Sequence, residues 1–112
     1  MECQPRNQEA DDVVDALANG RRRAALCYLF RRDGTVPLAD LSAHVASREQ
    51  DRATDVSPAS ISAALVHAHL PKLAEVDLVE YDRTARQVSL GSRAVDVRPV
   101  LDAVERTLAD SS

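Results

Sequence analysis

Along most of the chain the aliphatic residues return every three or four positions, the spacing that puts them on one face of a helix. Val13, Val14, Ala16 and Leu17 predict a short first helix, capped by Asp11 and Asp12 at its positive end. Asn19-Gly20 is expected to stop it, because both residues tolerate left-handed backbone angles. Ala24, Ala25, Leu26, Tyr28 and Leu29 predict a second helix over Arg21–Arg32, closed by Asp33-Gly34. Thr35-Val36-Pro37 reads as extended, as a residue before proline prefers. Leu38, Leu41 and Val45 predict a third helix reaching about Arg48.

Between Ser47 and Ser57 apolar residues are scarce and a polar loop or frayed helix end is expected. Ser57 then offers a cap, and Pro58 suits the first position of a helix carrying Ile61, Leu65, Val66, Leu70 and Leu73. Pro71 falls inside that pattern and predicts a kink, since it supplies no backbone N–H. Two runs of strand-forming residues follow, Leu78–Tyr81 and Gln87–Leu90, joined by Asp82-Arg83-Thr84-Ala85-Arg86. Val97, Val100, Leu101, Val104 and Leu108 then predict an amphipathic helix over about 93–110. Residues 1–10 carry no periodicity and read as a disordered tail. The order predicts a mainly α domain over 11–110, in which a three-helix core carries a β-hairpin wing and a C-terminal helix.

Composition narrows this. The chain has 112 residues, enough for one domain, and 45% are hydrophobic while only 3% are aromatic, so the core must be aliphatic. No run approaches the ~18 apolar residues of a membrane span. Met1–Asn19 is too acidic and polar for a secretory signal, so a cytoplasmic protein without a membrane partner is expected. Cys3 sits in the tail and Cys27 in an apolar stretch, which favours a core thiol at Cys27 over a disulfide. With 18 acidic against 14 basic residues the net charge is −4, and Lys72 is the sole lysine. An aspartate-rich, lysine-poor chain suits a GC-rich genome and a high-salt cytoplasm, such as that of a halophilic archaeon. Net acidity also argues against indiscriminate nucleic-acid binding, so any contact with DNA must use local basic clusters.

Two segments resemble the ArsR-type winged helix-turn-helix family, most closely the small haloarchaeal winged-helix domains of unknown biochemical role. The stretch ALANGRRRAALCYLFRRDGTVPLADLSAHV resembles the family's opening helices. The stretch HLPKLAEVDLVEYDRTARQVSL resembles the end of its recognition helix and its wing, with Leu70, Leu73, Leu78 and Val79 on the apolar positions. The chain departs from the family in its long connection before Ser57, in Pro71, and in Asp77 where glycine is favoured. The resemblance implies a DNA-binding transcriptional regulator, with the helix over about 58–70 in the major groove. It also implies pairing of the first and last helices into a homodimer, through Val97, Val100, Leu101, Val104 and Leu108.

The expected DNA contacts are Ser57, Ser60 and His67 on the outer side of that helix, and Arg83 and Arg86 on the wing against phosphates. Arg21, Arg22 and Arg23 form the densest basic cluster. Consecutive helical residues diverge by ~100°, so all three cannot touch one backbone: one is expected to pack or to pair with an acid, such as an Asp of the first helix, and another, taken here as Arg22, to reach phosphate. Lys72 reads as a solvated charge. The outer helix face carries no arginine, asparagine or glutamine, so an alternative stays open: a winged helix that binds a protein partner and not DNA. His67 and His69 diverge by ~200° on a helix and cannot readily share a metal ion. No metal, cofactor or enzymatic activity is expected, since neither a glycine-rich phosphate loop nor a nucleophile–base motif is present.

Overall fold

The computed structural model describes residues 12–32, 34–50 and 57–110. The tail expected over 1–10, the cap at Asp11, and most of the polar connection after Gln50 lie outside these residues. The elements are α1 (12–17), α2 (Gly20–Arg31), β1 (Val36–Pro37) and α3 (Leu38–Gln50), followed by a long helix, a hairpin and a last helix. The long helix is built from α4 (Pro58–Ala64), a π-helical turn (Leu65–His69) and α5 (Leu70–Glu75). The hairpin pairs β2 (Val79–Asp82) with β3 (Gln87–Leu90), and α6 spans Ala94–Asp110. This is a mainly α winged helix-turn-helix, with one addition to the expected hairpin. β1 pairs with β3 through Val36 and Val88, so the wing belongs to a three-stranded antiparallel sheet of order β1-β3-β2.

The core is aliphatic, as the composition requires. Leu26 and Leu29 of α2, Leu41 and Val45 of α3, and Ile61, Leu65, Leu70 and Leu73 of the long helix are all buried. Val79 and Val88 close it from the sheet, Leu78 from the connection before β2, and Val97 and Leu101 from α6. Burying each such side chain stabilises the fold by ~1.5–3 kcal/mol before entropy is counted. Within the helix-turn-helix, Ser42 on α3 is buried and accepts a 2.6 Å hydrogen bond from the Ser62 hydroxyl on α4. The pair satisfies two polar groups inside an apolar contact and fixes one helix against the other.

Two local details differ from the sequence pattern. Asn19 does not end α1 in a left-handed conformation. Its backbone is extended (φ −100°, ψ 130°) and its side chain caps α2, accepting from the N–H groups of Arg21 and Arg22. Pro71, where a kink is expected, lies just after a π-helical turn in a helical run that continues from Pro58 to Glu75. The chain opens into the π-turn just upstream, where the Leu70 N–H bonds the Leu65 carbonyl. A π-turn adds a residue to the ring, and the wider ring accommodates a proline that lacks the N–H for an ordinary bond.

After α5 the chain turns by a Schellman motif. Leu78 donates its N–H to the Leu73 carbonyl and Asp77 donates to Ala74, with Asp77 itself left-handed at φ 62°. Leu73 and Leu78, which the motif brings together, are both fully buried.

Candidate nucleic-acid interface

The long helix starts at Ser57, whose hydroxyl accepts from the Ser60 N–H at 3.1 Å, while the Ser60 hydroxyl donates to the Ser57 carbonyl at 3.0 Å. Ser57, Ser60 and His67 are all exposed, with the small side chains of Ala59, Ala63 and Ala68 exposed beside them. Each serine oxygen keeps a lone pair or a proton for an outside partner. The face therefore permits close approach of a groove and offers few hydrogen-bonding groups.

Arg83 and Arg86 sit in the four-residue turn between the strands and are exposed. The turn is held from within: Asp82 Oδ1 accepts from the N–H groups of Thr84 at 3.0 Å and Ala85 at 3.1 Å. Arg86 adopts φ 56°, a left-handed conformation unusual for a residue with a side chain. Its carbonyl accepts the N–H of Leu38 at 2.9 Å, which ties the wing turn to the start of α3. Together with the pairing of β1 and β3, this bond positions the wing against the helix-turn-helix.

The arginine triplet is used inside the fold. Arg21 forms a two-pronged pair with Glu49 on α3. Arg23 donates to the Leu17 carbonyl and to Glu105 on α6, and Arg48 reaches the other oxygen of the same carboxylate at 3.2 Å. Arg22, the member expected to reach phosphate, donates to the carbonyls of Ala16 (2.7 Å) and Asp15 (3.0 Å) at the negative end of α1. Its remaining nitrogen lies 3.3 Å from His69 Nδ1. Three of its five N–H groups are thus engaged within the fold, where Arg22 helps to dock α1. Lys72 likewise is not a free charge, since its Nζ lies 2.8 Å from Asp15 Oδ2. Nothing in the spacing of the sequence announces Glu105 as the carboxylate that joins α6 to both α2 and α3.

The histidines fall into different environments. His67 is exposed, whereas His69 is buried and held below its ordinary pKa, chiefly by burial and then by the Arg22 and Arg21 charges. His44 stacks on Tyr28 with ring centres 4.6 Å apart, and its Nε2 is buried without a hydrogen-bond partner. Burial, then Arg48 and Arg31, lowers its pKa too. Among the described residues no group of three or more His, Cys, Asp or Glu side chains is arranged to hold a metal ion. Cys27 is only half buried, a free thiol packed against the core, and burial raises its pKa.

The apolar stripe of α6 divides. Val97 and Leu101 are buried in the chain's own core, and Val104 is half buried. Val100 and Leu108 remain about half exposed, at 51% and 47%, and Val14 on α1 is 66% exposed. Among the described residues no helix is long and apolar enough to cross a membrane.

Compared with known families, residues 14–89 match a model described as a domain of unknown function, DUF7344. The match runs from α1 to the end of the wing and stops short of α6. Neither the curated proteins nor the solved structures yield a match.

Proposed function

The chain belongs to the DUF7344 family, and we propose that it is a DNA-binding transcriptional regulator of the winged-helix type, cytoplasmic and homodimeric. In this reading α4 and the π-turn enter the major groove with Ser57, Ser60 and His67 outward, while Arg83 and Arg86 reach phosphates. It is a binding protein and not a catalyst. The observation that carries it is Arg86, an exposed arginine held at positive φ at the tip of the wing. Glycine would take that conformation without steric cost, and strain kept in an exposed side chain argues for a use of that side chain.

The experiment is binding to promoter-length duplex across a series of potassium concentrations. Affinity should fall as salt rises, because contacts to phosphate release counterions. Replacing Arg83 and Arg86 together by alanine should weaken binding to every sequence and flatten the salt slope by ~2. Binding that is unchanged in that variant would remove the wing from the interface.

A second reading rests on a different observation. The outer face over 57–70 exposes mainly alanines, serines and one histidine, and all three arginines of the triplet make contacts inside the fold. A winged helix of this kind could keep its fold and bind a protein partner instead. Absence of duplex binding at any salt, together with a defined protein partner, would favour it.

A further inference from the structure

The side of the molecule away from the wing turn holds a cavity of about 470 Å³ between the end of α2, the far end of β3 and the start of α6. Such a volume lies within the ~300–1,000 Å³ of small-molecule sites. Its wall includes Arg32, Arg98, Thr35, Ser89, Ser92 and Gly34, and no described residue lining it is a carboxylate. We propose that this cavity binds a small phosphorylated molecule, its phosphate held between Arg32 and Arg98.

The state of the two arginines separates this cavity from the others. Arg21, Arg23 and Arg48 are all engaged by carboxylates. Arg32 and Arg98, in contrast, form no ion pair with any described residue. Their guanidinium carbons lie over aromatic rings, Arg32 at 5.5 Å from the centre of Tyr28 and Arg98 at 5.0 Å from that of Phe30. Such stacking orients a guanidinium plane and leaves its N–H edges available for an anion.

Two arginine forks, one just past the end of α2 and one on α6, and three hydroxyl-bearing residues suit a tetrahedral dianion with several acceptor oxygens better than a single planar carboxylate. Arg98 also borders a neighbouring cleft of about 360 Å³, where Arg31 and Arg106 add positive charge but Asp102 and Glu105 offset it, whereas no described carboxylate lines the larger cavity. A third cavity, near His69, has its Arg21 and Arg48 already paired.

The site is distinct from the proposed DNA surface. β3 runs from Gln87 at the wing turn to Leu90 at the cavity, three steps of ~3.3 Å each. The inference therefore stands whether or not the chain binds DNA, and its test can fail separately.

The test is a titration of the isotope-labelled full chain, followed by amide NMR, with inorganic phosphate and with adenosine 5′-monophosphate. Adenosine, and chloride at matched ionic strength, are the controls. Saturable shifts are expected at Gly34, Thr35, Ser89 and Ser92 with both phosphates and with neither control. Arg32→Gln and Arg98→Gln should each weaken binding by roughly tenfold, the loss of one charge-assisted pair. Both residues are exposed, so a dispersed spectrum should be retained; Arg83→Gln should leave the affinity unchanged. Shifts that match those of chloride or adenosine, that survive both arginine substitutions, or that centre on residues 83–86 would overturn the proposal.

Discussion

Gly91 lies against the backbone of Asp77 so closely that a Cβ at position 91 would stand 2.3 Å from the Asp77 carbonyl oxygen. The two are held together by a short ladder: Gly91 donates to Leu78, and Arg93 donates to that same Asp77 carbonyl. The contact joins the turn after the long helix to the start of α6. Because the obstacle is backbone, no side-chain rotation relieves it. Gly91→Ala should destabilise the fold by ~1–3 kcal/mol, the usual cost of overpacking. A shift of the urea midpoint at unchanged slope would show this, and a midpoint equal to wild type would contradict the close approach.

Asp77 itself gives the opposite expectation. It is left-handed at the end of α5, and its carboxylate sits at the negative end of the helix dipole. Glycine removes both penalties. Asp77→Gly should stabilise by ~0.5–1 kcal/mol, after allowing for glycine's greater freedom in the unfolded chain. Asp77→Asn, which removes the charge and keeps the side chain, should recover part of the gain. A Tm that falls in both variants would mean that the carboxylate has a partner the turn geometry does not explain.

These two residues also mark what the sequence could and could not tell. The aliphatic spacing of Ile61, Leu65, Leu70 and Leu73 located the long helix because a single face had to be buried. Asp77 stood out because the position calls for glycine. Other features depend on which of two local solutions wins. Asn19 can end one helix or cap the next, and here the two open N–H groups of α2 decide. Pro71 follows a wider π-turn, which the periodicity of the buried face on both sides of it does not announce. The arginine triplet looked like a nucleic-acid cluster because Glu49 and Glu105, which bind two of its members, are far away in sequence. The stripe on α6 could not be divided by periodicity alone, since core and exposed positions are both apolar.

Arg86 separates stability from function. Arg86→Gly removes the cost of φ 56° and should leave the fold as stable as wild type or up to ~0.5–1 kcal/mol more so. The same change should weaken duplex binding, because the turn loses one of its two arginines. Opposite movements of Tm and affinity are the expected signature. A variant that binds DNA as tightly as wild type would leave the strain at Arg86 without a functional account.

Stability should also depend on pH through His69, which is buried, and His44, which is partly so. Burial, then Arg22 and Arg21, lowers the His69 pKa in the fold, with Glu49 acting weakly in the other direction. In the unfolded chain histidine titrates near ~6.5. Between the lowered and the ordinary value the unfolded chain holds more protons, so stability rises with pH through that window and is lost as pH falls below ~6.5. His44 adds in the same direction, through burial and then Arg48 and Arg31. Urea midpoints at about pH 7.5 and 5.5 should differ in wild type, and His69→Gln, which can still accept from Arg22, should narrow the difference. An equal pH dependence in the two proteins would assign the effect elsewhere.

The division of α6 makes the dimer reading testable without disturbing the fold. Val97 and Leu101 hold α6 to the core, so Leu101→Asp should unfold the chain. Val100 and Leu108, eight positions apart, are about half exposed and have Val104 between them on the same side of the helix. A second copy could cover them together with Val14 on α1, through a two-fold contact in which each patch meets its own counterpart. Val100→Asp combined with Leu108→Asp places charges at sites that cost little in an isolated chain and much in a dry contact. Wild type should sediment as a dimer and the double variant as a monomer of nearly unchanged Tm. Its duplex affinity should then fall, since one wing and one long helix remain where two had acted. A monomeric wild type, or a double variant that stays dimeric, would take α6 out of any pairing surface.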